Sequence, residues 1–247
     1  MRRAACVLVA GAVAFGPFAS GQAAHSQSSR APSISRLLRN GWDNSQASPG
    51  SDPTPNAHVL AQRVDRHYNS LRSLKANFTE SYEGLGITRA DSGTLLLLKP
   101  GRMKWEYSSP PGKLFLLDGK YAWSYTPGDS HVQRIPAKDL NDLRSPLRYL
   151  LGHAQLAKEL RGLAAAPAPG GQFTLTGVPK DMENRVARLA LTVTSGGTIA
   201  GIEITETDGA VTRFTFSNEQ PDAPVPPRAF HFTPPPGVPV VDSLPPV

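Results

Sequence analysis

The sequence predicts a mostly β domain with few helices, and three observations predict it. The stretch from Gly93 to Tyr125, GTLLLLKPGRMKWEYSSPPGKLFLLDGKYAWSY, holds short apolar or alternating runs broken by Pro-Gly and Asp-Gly turns, the pattern of a β-meander. Between Gln172 and Asn218 further alternating segments are joined by turn residues. Helical spacing, by contrast, shows in only two places, Asn56 to Leu71 and Ser145 to Leu151.

The chain opens on Arg2 and Arg3, continues through an apolar run from Ala4 to Phe18 and ends in small residues near Ala23. This is the pattern of a secretory signal peptide over residues 1–23, with a mature chain expected to start near Ala24 and to be exported. Cys6, the only cysteine, lies inside that leader, so the mature chain is expected to have no disulfide, thiol chemistry or acyl anchor. Removing Arg2 and Arg3 lowers the formal charge from +6 to +4, and the remaining charges are scattered. Nucleic-acid binding would need a basic stripe interleaved with stacking aromatics, and none is present. Residues 24–55 are rich in Ser, Pro, Asn and Gly around one island, Ile34 to Trp42, and read as a flexible leader dispensable for folding.

Order is expected from Asn56, a suitable N-cap. Leu60, Val64, Tyr68 and Leu71 then recur on one face of an amphipathic helix. In the meander, Met103, Trp105 and Tyr107 alternate with Arg102, Lys104 and Glu106, and Tyr121, Trp123 and Tyr125 alternate with Lys120, Ala122 and Ser124. Each strand therefore puts its large side chains on one face, and the expectation is that both sets share a face. Such a face is either plain sheet core or the lining of a cavity. Val132 to Ile135 continues the sheet. Ser145-Pro146 followed by LRYLLG reads as a compact helix with an N-cap, a first-turn proline and a glycine past its end, with Leu147, Leu150 and Leu151 on one face. After a Gly-Pro-Ala linker come hairpin-like segments 172–178, 185–194, 198–207 and 210–218, then Phe230, Phe232 and a Pro-rich tail. The whole is one domain over residues 56–242.

Chemistry-bearing motifs are missing. The six histidines show no metal-binding spacing, and there is no nucleophile elbow, phosphate-binding glycine loop or dinucleotide fingerprint. Asp118, in LLDGKY, occupies a hairpin turn for backbone reasons. Glu203 and Glu206 fall on opposite faces of a strand. The expectation is a non-enzyme with no cofactor.

Taken in order, the opening helix followed by LKANFTESY, then GTLLLLKPGRMKWEY, LLDGKYAWSYTPGDSHV, SPLRYLLG and AFHFTPPPGV, the chain resembles the periplasmic outer-membrane lipoprotein carrier family, LolA. The likeness runs from about Asn56 to Asp242. It implies a mainly β fold with an α-helical lid, an incompletely closed antiparallel β-barrel around a hydrophobic cavity. Phe78, Met103, Trp105, Tyr107, Trp123 and Tyr125 would line that cavity, and Leu147, Leu150 and Leu151 would belong to the lid. Members carry Arg immediately before the proline of the second strand, where it bonds lid backbone. Lys99 stands there, a latch with the charge but without the planar fork. The function implied is a soluble, monomeric periplasmic carrier that shields the acyl chains of lipoproteins. It would receive them from an inner-membrane ATP-driven release complex and pass them to an outer-membrane acceptor. Two other functions fit the same superfamily: transfer of another lipid or glycolipid, and an RseB-like regulatory module. The latter adds a second globular domain, and the end of the sequence soon after FHFTPPPGV counts against that expectation.

Overall fold

Twelve strands hydrogen-bond into one sheet in the computed structural model, which describes residues 55–137, 149–150 and 155–242. The expected signal peptide, all of the leader before Pro55, and the lid leucines Leu147 and Leu151 lie outside the described residues.

Helix α1, Ala57–Ser70, starts where the Asn56 side chain accepts a hydrogen bond from the His58 N–H at 2.9 Å, and stops where Leu71 turns to extended backbone. Its spacing buries Leu60, Ala61, Val64 and Tyr68 along one stripe. The strands follow as β1 Ser73–Gly84, β2 Ile87–Leu98, β3 Arg102–Ser109, β4 Pro111–Asp118, β5 Tyr121–Tyr125 and β6 Val132–Pro136. A single-turn helix α2, Leu156–Glu159, leads into β7 Leu160–Ala168, β8 Gln172–Pro179, β9 Val186–Val193, β10 Ile199–Glu206, β11 Val211–Pro221 and β12 Val240–Asp242.

In space the order is β12-β6-β5-β4-β3-β2-β1-β11-β10-β9-β8-β7, antiparallel throughout except for β12 on β6. The end strands β12 and β7 do not pair, so the sheet is unclosed. It is nevertheless strongly curved. Strands β3 and β11 are three positions apart, about 14 Å across a flat sheet, yet the rings of Trp105 and Phe214 lie with centroids 5.3 Å apart. The residues turned to the inside of this curve join α1 in one core containing Leu74, Phe78, Leu95, Leu97, Met103, Trp105, Leu175, Leu191, Ile202 and Phe214.

Three elements differ from the sequence reading. The Gly-Pro-Ala linker contains β7, because Ala-rich backbone with Pro167 has little strand propensity of its own and is held extended by its ladder with β8. The Pro-rich tail ends in β12, whose Asp242 carboxylate takes a two-pronged bond from Arg134 at 2.7 and 3.0 Å. Helix α2 is too short to leave a periodic signal.

The register also corrects the shared face expected of the two aromatic sets. Across β3 and β4, Met103 stands opposite Leu117 and Trp105 opposite Phe115. Across β4 and β5, Leu117 stands opposite Ala122, Phe115 opposite Ser124 and Leu116 opposite Trp123. Directly opposed residues share a face. Ala122 and Ser124 therefore point inward with Trp105, and Trp123 and Tyr125 point outward. A tight turn of Gly119 and Lys120 pairs odd with even positions, so equal parity in sequence becomes opposite faces in space. On that outer face the chain after β11 returns as a strap. Phe232 meets Trp123 and Tyr125 at ring distances of 5.8 and 6.3 Å, and a 3-10 turn over Pro227–Phe230 touches β3 and β4.

Candidate functional site

The inner face is built by strand alternation. Leu74, Ala76 and Phe78 on β1, Leu97 and Leu95 on β2, Met103 and Trp105 on β3, and Leu117 and Phe115 on β4 form successive cross-strand rows. Phe214 and Phe216 on β11 extend them, Phe216 standing opposite Phe78. At the centre is Trp105, 1% exposed. Phe78 meets it edge-on at 4.7 Å, Tyr107 meets Phe78 at 5.0 Å, and Phe216 lies 6.0 Å from Trp105. Such aromatic pairs each add about 0.5–1.5 kcal/mol beyond their buried area. The Trp105 N–H donates to the Met103 sulfur at 2.9 Å. The ring system thus uses its own donor internally and turns apolar surface inward.

Helix α1 closes over this surface with Leu60, Val64 and Tyr68, and Leu150 is buried in the same core. Three contacts hold α1 near its C-terminal end. The Lys99 ammonium donates to the carbonyl oxygens of Tyr68 and, at 3.2 Å, of Asn69. These carbonyls belong to the last turn of the helix, whose negative dipole end attracts a cation. Burial lowers the Lys99 pKa, with nearby Asp222 working the other way. The Tyr68 hydroxyl donates to Glu219 at 3.1 Å and accepts from the Ile199 N–H at 3.0 Å, and burial raises its pKa strongly. His67 meets the other Glu219 oxygen at 2.8 Å. Further along, the Arg63 guanidinium donates to the Ser195 carbonyl at 2.8 Å. Gly197, with φ of 97°, passes so close that a Cβ there would lie 2.4 Å from the Arg63 carbonyl carbon. Only glycine allows both that φ and that approach.

The other flank of α1 is tied by Asp65, whose two oxygens each lie 3.2 Å from the Leu156 N–H at the start of α2. Burial pushes the Asp65 pKa up to about 6, the Leu156 hydrogen bond opposes the rise, and Glu159 adds to it.

Sequence reasoning placed Phe78, Met103, Trp105 and Tyr107 together, and the fold brings them together. Trp123 and Tyr125 stand on the outer face instead. The Trp123 N–H donates to Asp118 at 2.8 Å, and that carboxylate also accepts from the backbone of Lys120 and Tyr121 at 2.7 and 2.6 Å. Burial works to raise the Asp118 pKa, but these donors hold it below the usual value. Lys99 does hold helix carbonyls; the helix is α1. Phe214 and Phe216 were missed as lining residues, although their alternation in VTRFTFS carried the signal.

A block of charge on the inner face was also missed. Glu80, Asp91 and Lys113 are 6%, 5% and 8% exposed. Lys113 reaches Asp91 at 2.6 Å and lies 4.0 Å from the centre of the Tyr107 ring. Arg89 lies 3.1 Å from Asp91 and 3.6 Å from Glu80, and the Tyr107 hydroxyl donates to Glu80 at 2.6 Å. The signal was a charge at the apolar parity: Glu80 sits in phase with Phe78 and Tyr82, and Asp91 with Leu95 and Leu97.

Comparison with known proteins finds that residues 69–233 match the family model described as outer membrane lipoprotein carrier protein LolA. The outer-membrane lipoprotein carrier protein of Chromobacterium violaceum is 29% identical over 187 residues, covering 76% of this chain and 89% of that protein. The protein of the same name from Proteus mirabilis is 31% identical over 185 residues, covering 74% of this chain and 88% of that protein. Among solved structures, a LolA superfamily protein from Nitrosomonas europaea is similar with a TM-score of 0.39 at 12% identity, covering 72% of this chain and 98% of that one.

Proposed function

Since the chain belongs to the outer membrane lipoprotein carrier family LolA, we propose that it is a periplasmic lipoprotein carrier, and that it hides the acyl chains of its cargo on the inner face of the curved sheet. The observation that carries the site is an apolar, mainly aromatic lining, Phe78, Met103, Trp105 and Tyr107 with Phe214 and Phe216, closed over by one helix pinned through polar contacts. Each methylene exposed to water costs about 0.8 kcal/mol, so cargo acyl chains cannot cross an aqueous compartment bare. Binding has to be broad and release has to be easy, which favours a lining without directional bonds. Trp105, its N–H already engaged by Met103, meets that requirement.

In the closed molecule Leu60, Val64, Tyr68 and Leu150 fill the inner face. An acyl chain replaces those contacts with its own, so α1 and Leu150 act as the lid and Lys99 as the latch on α1. Apolar contact is exchanged for apolar contact, and the net driving force stays small in both directions. The cargo comes from an inner-membrane ATP-driven release complex and goes to an outer-membrane acceptor. No step in this requires catalysis.

The test is displacement. A fluorescent fatty-acyl probe bound by the mature protein should be displaced by a purified lipoprotein but not by the same lipoprotein stripped of its acyl chains. Failure of the folded protein to bind the probe would reject the reading.

A further inference from the structure

The inner face is not apolar to its end. Away from the latched end of α1, the rows led by Phe78, Leu95 and Trp105 give way to Glu80, Asp91, Arg89 and Lys113, side chains in phase with the inward apolar ones on the same strands. Tyr107 marks the boundary. Its ring packs edge-on to Phe78 at 5.0 Å and its hydroxyl donates to Glu80 at 2.6 Å, with burial as the main cause of its raised pKa. Two acids and two bases interlock here, so the block is neutral in sum and its members compensate one another.

Burying three charges with a fourth, Arg89, half-buried beside them costs more than packing apolar side chains of like volume, and a core of ordinary hydrophobic residues would be as stable or more so. A cost carried inside a ligand-binding face calls for a reason on that face. We propose that this block is a depth stop for the acyl chain, the residues that set the longest chain the carrier can shield fully. The proposal rests on the carrier reading above. Along β2 the apolar lane runs from Leu97 to Asp91, about 20 Å at the rise of an antiparallel strand, comparable to an extended palmitoyl chain. Up to the stop, each added methylene moves from water to apolar contact. Beyond it, a methyl group would have to part Lys113 from Asp91, leaving the buried Lys113 ammonium without its carboxylate while Asp91 keeps Arg89, and it would gain less than that separation costs.

The experiment is a chain-length series on the whole mature protein, using saturated fatty acids from decanoic to stearic acid to displace one fluorescent acyl probe. Wild-type affinity should climb about fourfold per methylene, the equivalent of ~0.8 kcal/mol, and then level off. In a double variant, Asp91→Leu with Lys113→Leu, the pair is removed as a pair while Arg89 and Glu80 still compensate each other. Affinity should then go on climbing to longer chains. Should that variant fail to fold by thermal melting, Asp91→Asn with Lys113→Met makes the same lane neutral with shapes close to the originals. A plateau at the same chain length in wild type and folded variant would overturn the depth stop and leave the carrier reading intact. So would a uniform loss of affinity at every length, which would mean that the charges hold the head end of the ligand. No binding of any fatty acid by folded wild type would overturn both.

Discussion

At the scale of single residues, two tryptophans that look equivalent in sequence have opposite expected consequences. Trp105 is central to the inner face, and Trp105→Ala should cost about 3–5 kcal/mol in chemical denaturation. Trp105→Phe keeps most of the packing and should weaken acyl binding selectively. Trp123 bonds Asp118 and packs on Phe232 outside the sheet, so Trp123→Phe should leave acyl affinity unchanged. A brominated acyl probe separates the two directly. It should quench the emission of Trp105 and not that of Trp123, and equal quenching of both would contradict a register that sets the two rings on opposite faces. Lys99 is the third residue with a specific role. Lys99→Leu removes the cation that holds the Tyr68 and Asn69 carbonyls and adds apolar surface, so cargo uptake should persist while transfer to the acceptor slows. Lys99→Arg should restore transfer, because a guanidinium bonds two carbonyls at once. Separate measurement of uptake and release checks both.

At the scale of elements, α1 is fastened by groups that titrate. Asp65, facing Leu156 and Glu159 of α2, has its pKa raised to about 6, chiefly by burial. A raised carboxylate pKa means the folded state holds the proton in the range where the unfolded chain has lost it. Its contribution to stability is therefore full below the ordinary value of 3.8 and is lost as pH rises to about 6. Asp65→Asn removes this titration. The melting temperature of the variant, relative to wild type, should rise between about pH 4 and pH 6 and stay level above. Scans across that interval test it, and a constant difference would show that Asp65 does not titrate there. Carboxylates with lowered values, such as Asp118, give slopes of the opposite sign, so only the difference between the two proteins isolates Asp65.

At the scale of the whole molecule, the sheet has two unlike surfaces, and each is covered by a different segment of the chain. The inside is covered by α1 and the outside of β3 to β6 by the strap that follows β11. Phe230 is 3% exposed within that strap, and Leu116 and Val132 are buried on the outer side without belonging to the inner core. Phe230→Ala should therefore destabilise the fold by about 3–5 kcal/mol in thermal or urea unfolding while leaving acyl affinity in the folded protein unaltered. A variant that melts like wild type would show the strap to be a passive tail.

The sequence by itself determined the elements. Asn56 and the Leu60, Val64, Tyr68 spacing are local facts that specify α1, and period-two alternation bounded by Gly, Pro and Asp turns specifies most of the strands. The motifs from Asn56 onward were enough to recognise the family. The face each strand turns inward belongs to the tertiary structure, because one tight turn at Gly119 and Lys120 reverses the parity of β5 against β4 and sends Trp123 outward, and the β5–β6 pairing reverses it again. The pairing that turns β7 and β12 into strands likewise comes from partners distant in the chain. The charged block was visible only as residues out of place, Glu80 among Phe78 and Tyr82, until the fold brought Arg89 and Lys113 beside it. Periodicity is written in neighbours along the chain. Which surfaces meet depends on how the sheet curves, and that curvature follows from the packing of all its strands at once.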